Sequence, residues 1–391
     1  MKVFLFSPLA LENGRGGEIS LIELASGFHK FYDVTLFDTN RVISESLLSK
    51  ESIKKKLNGA KRGKQINFAT MRLFNRNFSF PYPWEIIKLF KVIKKNDIIY
   101  SSVSNLKIDL MLVLFSLLRR QSKFIIGFRK PLYSKKILSL YNIKYRMSIL
   151  LYSLFKNKFH FHTISEHAKK FLENFYEPQK ITHIIHGVNL KDYVKDEIDK
   201  KQEDVLNFIY VGFLDDIHKG VGVMLDGIEK FIKENKELKV FFEFCGIGPL
   251  ESKIRKLQEK FPMFVKYNGY ISNEQISEYY KRNDIFLFTS RREPFGRVII
   301  EALASKLIII CTKTYGSMEI LKGKKFAFFL RELKSDVIKD KILSLYKLWQ
   351  EKNNYFKSLQ ESAKIYALEN YAYSKELEMF KELIHKLKFN N

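Results

Sequence analysis

Short, nearly all-apolar runs alternate with segments of helical period along most of the chain, and this alternation limits the fold more than any other feature. The first such set is an apolar run at 3–8, a glycine turn at 14–18 and a helical stretch at 19–29 with Leu21, Ile22, Leu24 and Ala25 on one side. A second apolar run at 33–37 completes it. Strand, turn, helix and strand in this order form a βαβ unit, which demands a parallel sheet and a right-handed crossover. More strands are expected at 97–100, 123–128, 160–164 and 182–185, around helices at 108–119 and 166–175, the latter capped by Ser165. The pattern then repeats, with strands at 207–211, 239–245, 265–267, 285–288 and 307–311 and helices at 222–235, 251–260, 273–281 and 298–305. The expected fold class is therefore α/β, with two doubly wound domains facing a cleft. Residues 1–190 form the first domain and 205–370 the second; the charged stretch 195–204 links them, and a helix in 371–391 crosses back to the first.

The charge balance of 68 Lys and Arg against 43 Asp and Glu is uneven along the chain. Residues 51–158 alone hold 24 basic residues and four acidic ones, interleaved with aromatics such as Phe74, Tyr82 and Trp84. Basic residues beside apolar ones suit an anionic membrane surface, while nucleic acid is the other polyanion such a charge attracts. Between Lys135 and Lys158, Ile149 and Tyr152 recur with other apolar residues at helical spacing and read as part of a docking face. No run reaches the roughly 18–20 apolar residues of a membrane span, and 1–8 reads as a buried strand and not as a signal peptide. Cys245 and Cys311 lie in apolar runs and read as buried thiols in a reducing compartment. His160, His162, His183 and His186 have no metal-ligand spacing, so no metal is expected.

The most specific segment is 289–304, Thr-Ser-Arg-Arg-Glu-Pro-Phe-Gly-Arg-Val-Ile-Ile-Glu-Ala-Leu-Ala. A strand end, a Pro-Phe-Gly turn and a helix bring a loop carboxylate, helix-start N–H groups and a second carboxylate together; the N–H groups suit a phosphate and the carboxylates suit hydroxyls. This segment resembles the signature of the nucleotide-sugar-dependent glycosyltransferases of GT-B fold, the retaining family 4 or glycosyl transferases group 1, built from two Rossmann-like domains. Tyr210-Val211-Gly212 with Lys219-Gly220, Cys245-Gly246-Ile247-Gly248-Pro249, Asn268-Gly269-Tyr270-Ile271 and Gly316-Ser317 extend the likeness in order. The match is close over 210–321 and weak in the first half, where Gly16-Gly17, Thr163-Ile164-Ser165 and His186-Gly187-Val188-Asn189 carry it.

The resemblance implies that Glu293 contacts donor-sugar hydroxyls and Glu301 the ribose. It implies that Lys219 and Arg297 meet the diphosphate, so that Glu293, Lys219 and Arg297 form the catalytic set. Gly16, Gly17, Gly212, Gly246, Gly248, Tyr270, Ile271, Phe295, Gly296 and Val298 are the further donor-binding positions. The donor is a UDP- or GDP-sugar taken as substrate, with no cofactor, and the acceptor a glycan or polyprenyl-linked glycan. The implied location is the cytoplasm, peripheral at the inner membrane face. Phe213 stands where the family carries an arginine, so Arg297 or Arg292 replaces that cation; Arg129-Lys130 stand where a functional histidine is common. The alternatives are a GT-B enzyme that glycosylates nucleic acid and a non-catalytic nucleotide-sugar-binding protein.

Overall fold

The computed structural model describes residues 2–7, 11, 16–38, 49–62, 68–73, 76–81, 83–94, 96–102, 106–119, 121–128, 140–155, 158–194 and 204–389. The turn at 12–15, Arg129-Lys130, the basic run around Lys135 and most of the expected link (195–203) lie outside these residues. Two compact units emerge: Met1–Ile185 together with Glu376–Asn391, and His186–Lys375. The division falls ahead of the charged stretch because 186–194 pairs within the second unit. There Val188 bridges Ala372, its N–H donates to the Tyr371 carbonyl, and the Tyr373 N–H donates back to its carbonyl.

In the first unit, seven parallel strands form one sheet: β1 (Lys2–Phe6), β2 (Asp33–Phe37), β3 (Lys61–Arg62), β6 (Ile98–Ser101), β7 (Lys123–Phe128), β8 (Phe159–Thr163) and β9 (Ile181–His183). Their spatial order is β3-β2-β1-β6-β7-β8-β9, and β4 (Phe68–Leu73) and β5 (Arg76–Pro81) form a separate antiparallel hairpin. Alternate residues of each strand feed opposite faces. Phe4, Phe6, Ile99, Phe124, Ile126 and Phe161 share one core with Leu89, Met111, Leu112, Ile149 and Tyr152 of the helices Pro83–Val92, Leu106–Leu118 and Leu140–Leu154. Val3, Leu5, Leu36, Tyr100 and Ile125 face the other core, which holds the helices Gly16–His29 and Tyr373–Phe389. Phe380 seals the last helix, its ring 5.5 Å from Phe28, 5.5 Å from Tyr100 and 4.8 Å from His162. Ser165 accepts from the Ala168 N–H at 3.2 Å and caps the helix Glu166–Leu172.

Ile149 and Tyr152 are 3% and 0% exposed, so they face the core and form no docking face. The Tyr152 hydroxyl donates to the buried Asp109 carboxylate at 2.8 Å, which gives that acid a partner beneath the helices.

The second unit carries six parallel strands: β10 (Leu206–Val211), β11 (Val240–Cys245), β12 (Val265–Tyr267), β13 (Ile285–Phe288), β14 (Ile308–Cys311) and β15 (Ala327–Phe329), in the order β12-β11-β10-β13-β14-β15. Fully buried apolar runs such as Ile308–Cys311 are what a sheet covered on both faces selects. The chain runs outward from β10 to β12, returns to pair β13 with β10, and then runs outward the other way. That reversal makes the carboxyl ends of β10 and β13 the place where two loops diverge. Cys245 and Cys311 are free and buried, and burial with the Glu243 charge nearby pushes the Cys245 thiol up to about 12.

Replacing Phe380 by alanine removes three ring contacts and is expected to cost about 3–5 kcal/mol, read as a lower urea midpoint with early proteolysis of the last helix. His160 is 3% exposed, bonded to Thr182 at 2.8 Å, and burial holds its imidazole down at about 3. The folded chain therefore keeps this ring neutral where the unfolded chain takes up a proton, so its contribution is complete above pH ~6.5 and declines as pH falls toward 3. Unfolding of His160→Gln across that window should show a slope flatter by up to about 1.4 kcal/mol per pH unit.

Candidate active site

Two loops meet beyond the paired strands β10 and β13. The first, Gly212–Gly220, leads into the helix Val221–Glu234; the second, Thr289–Gly296, leads into the helix Arg297–Ala304. Hydrogen bonds knit them: the Arg291 N–H donates to the His218 carbonyl at 2.7 Å and the Thr289 hydroxyl to the Lys219 carbonyl at 2.9 Å. Asp215 organises the first loop, accepting from the N–H groups of His218 at 3.0 Å and Lys219 at 2.8 Å.

This arrangement brings the Lys219 ammonium to 2.6 Å from Glu293 Oε2, across 74 residues of sequence. Both side chains are half-buried, so the pair is screened less than a surface bridge. Arg297 Nε lies 3.9 Å from Glu301 Oε1 one turn along the second helix, and the Tyr280 hydroxyl donates to Glu301 Oε2 at 3.4 Å. Each of the two expected cations thus sits beside one of the two expected carboxylates. Gly220 and Gly296 cap their helices in left-handed conformations and offer no side chain of their own. In the first helix Asp216 Oδ1 accepts from the Val223 N–H at 3.3 Å, so the start after Gly296 is the one that presents backbone N–H dipoles without a side-chain cap. Phe213 is 50% exposed at the position lacking a cation, and Arg292 is exposed on the second loop.

The glycine turn after β11 closes on the first loop. A Cβ at Gly246 would lie 1.9 Å from the Gly212 carbonyl oxygen and its φ is +143°, so glycine is required there. The Gly246 N–H donates to Gly269 at 2.7 Å and the Leu214 N–H to Ile247 at 2.9 Å, which ties 246–248 and 268–271 to the same end of the sheet. Tyr270 is partly exposed and Ile271 half-buried. Val298 is half-buried in the first turn of its helix. Phe295 is buried, its ring 5.2 Å from His186 and 6.1 Å from Tyr371, so what it offers the loop is backbone. Gly16 and Gly17 belong to the first unit, at the start of the helix Gly16–His29.

One residue escaped the sequence reading. Glu243, on β11, is 3% exposed in an otherwise apolar strand. It accepts from Asn268 Nδ2 at 2.9 Å, Asn283 Nδ2 at 2.9 Å and the Arg282 guanidinium, whose Nε lies 2.9 Å away. A buried carboxylate is tolerable only with such partners, and here they fix the segment that begins at Asn268. A lone acid inside the run Val-Phe-Phe-Glu-Phe-Cys was the available signal.

Among the described residues no group of three or more His, Cys, Asp or Glu side chains could hold a metal ion. The loops offer a lysine and the Gly296 helix start for an anion, and carboxylates for hydroxyl donors.

The chain is similar to known proteins in sequence and in fold. The family model described as glycosyl transferases group 1 matches residues 194–363. Over 217 residues the chain is 29% identical to the "Probable sucrose-phosphate synthase" of Thermosipho melanesiensis, covering 53% of this chain and 48% of that protein. Over 220 residues it is 26% identical to the alpha-monoglucosyldiacylglycerol synthase of Acholeplasma laidlawii, covering 53% and 54%. The chain thus spans about half the length of the curated relatives it matches. The crystal structure of Anabaena HepE in complex with UDP has the same fold, with a TM-score of 0.75 at 14% identity, covering 99% of this chain and 100% of that one.

Glu243→Gln keeps the shape and removes the charge; the expected loss is about 1–3 kcal/mol, since Arg282 is partly solvated. It should appear as a lower melting midpoint together with faster hydrogen exchange at 268–271.

Proposed function

We propose that the chain, whose residues 194–363 match the family model described as glycosyl transferases group 1, is a member of that family and moves a sugar, with retention, from a UDP- or GDP-sugar to a glycan or lipid-linked glycan at a membrane surface. The convergence of Lys219, Glu293, the Gly296 helix start and Glu301 beyond β10 and β13 supports this reading. A diphosphate arriving there competes with Glu293 for the Lys219 ammonium. As Lys219 turns to the anion, the Glu293 carboxylate is released to accept from hydroxyls of the sugar. Glu301, steadied by Tyr280 and Arg297, accepts from the ribose, and the segment 268–271 meets the base.

In the transfer the bond from the anomeric carbon to the diphosphate oxygen breaks and the acceptor hydroxyl oxygen forms the new bond on the same face. The hydroxyl proton is released, and a nucleoside diphosphate departs. Negative charge grows on the leaving diphosphate, so donors already held in place lower the barrier; such preorganised electrostatics is commonly the largest catalytic contribution. Lys219, the N–H groups after Gly296 and Arg297 are the groups disposed for that role. Arg297 at the helix start compensates for Phe213.

A screen of UDP- and GDP-sugars should raise the melting midpoint with the matching donor, because a ligand that binds only the folded chain stabilises it. Lys219→Met should weaken the corresponding nucleoside diphosphate roughly 10- to 100-fold, equivalent to one charged contact of about 1.5–3 kcal/mol, and Arg297→Ala should weaken it as well. Absence of both stabilisation and diphosphate release across the screen would overturn the reading. Affinity unchanged in Arg297→Ala alone would transfer the compensating role to Arg292.

A further inference from the structure

The helices Pro83–Val92, Leu106–Leu118 and Leu140–Leu154 bury their inner sides in one core on one face of the first sheet, so their outer sides face away from that same face of the sheet. Those outer sides carry large apolar residues. Leu110, Leu114, Leu117 and Leu118 are all exposed on the middle helix, which is apolar around nearly its whole circumference although one side meets solvent. A helix of that kind is ordinarily buried on all sides or held in a membrane. Leu150 and Leu154, one turn apart, are 63% and 70% exposed, opposite the buried Ile149 and Tyr152. Trp84 and Ile87 are more than half exposed on the first helix. Isolated exposed leucines need no explanation, but three neighbouring helices sharing an exposed apolar side mark an interaction surface.

The charge around this surface selects the partner. Residues 83–158 contain 16 Lys and Arg against three Asp and Glu, and two of the three acids, Asp97 and Asp109, are buried. Lys88, Lys91, Lys94 and Arg146 are exposed on or beside the same helices. Leucines for the acyl boundary, an exposed tryptophan for the headgroup level and surrounding cations match an anionic bilayer surface. No helix among the described residues is long and apolar enough to cross a membrane, which fits attachment in the interfacial plane.

We propose that this three-helix face of the first unit docks on an anionic lipid bilayer, with Leu114, Leu118, Leu150 and Leu154 entering the headgroup–acyl boundary. The proposal deepens the functional reading above by naming the membrane-contacting surface, but it rests on the first unit's geometry and not on the donor site.

The test floats the full chain with phosphatidylcholine vesicles and with vesicles that also contain phosphatidylglycerol, at low and high salt. The chain should float with the anionic vesicles, at least tenfold less with the zwitterionic ones, and less as salt rises. The double variant Leu114→Asp, Leu150→Asp should lose at least tenfold of that binding while keeping the wild-type melting midpoint shift with a matching donor. In Trp349→Phe, which leaves Trp84 as the single tryptophan, brominated anionic lipid should quench the emission, a readout that leaves the apolar face intact. A chain that stays below the vesicles, undiminished binding by the double variant, or absence of Trp84 quenching overturns the proposal. So does a wild-type dimer that the double variant converts to monomers, since a second copy would then own the face. Vesicle binding without any donor effect would leave the docking standing and remove the transferase reading.

Discussion

The parallel pairing of β10 with β13 is the constraint on which the candidate site depends. Residues 74 apart in sequence reach hydrogen-bond distance because the chain leaves β10, builds one edge of the sheet and returns to lie directly beside it. Both loops then depart from neighbouring strand ends in the same direction. With no side chain capping the helix start at Gly296, and with Lys219 and Arg297 each beside a carboxylate, the region is polar and nearly charge-balanced, a setting that suits an anion carrying hydroxyls. The same parallel topology explains why the supporting glycines are close-packed: Gly246 lies against Gly212 because β10 and β11 are adjacent and their loops leave the sheet in step.

Around that site, polar groups under the surface define where the loops stand. Glu243 gathers Asn268, Asn283 and Arg282, so the segment 268–271 is held from below by charged hydrogen bonds instead of by apolar packing alone. Charged contacts of this kind cost dearly when one partner is removed and contribute less when the whole set is replaced by apolar groups. Their presence beneath a loop of this unit is consistent with a need for one loop position over several.

Much of this was legible in the sequence because both sheets are parallel and covered on both faces. Continuous apolar runs such as Phe286-Leu287-Phe288 and Ile308-Ile309-Ile310 have no other comfortable setting, and β2, β12 and β13 begin and end where the pattern places them. The helices Ser335–Glu351 and Asn353–Tyr371 went unread, since no sharp motif announces them; the first packs on the helix Val221–Glu234 and the second on Arg297–Ala304. The outer face of Leu140–Leu154 was assigned to the wrong residues for a physical reason. Both sides of that helix are apolar, so its period alone cannot say whether Ile149 and Tyr152 or Leu150 and Leu154 meet the sheet. Glu243 escaped because its role is defined by Asn268, Arg282 and Asn283, up to 40 residues away.

Hydrogen exchange by mass spectrometry, on the full chain with and without a saturating UDP- or GDP-sugar, tests the two-loop site most directly. The account predicts protection of both 212–220 and 289–301, together with 268–271, on addition of the matching donor. Protection confined to other segments, or the same exchange with every donor, would contradict it.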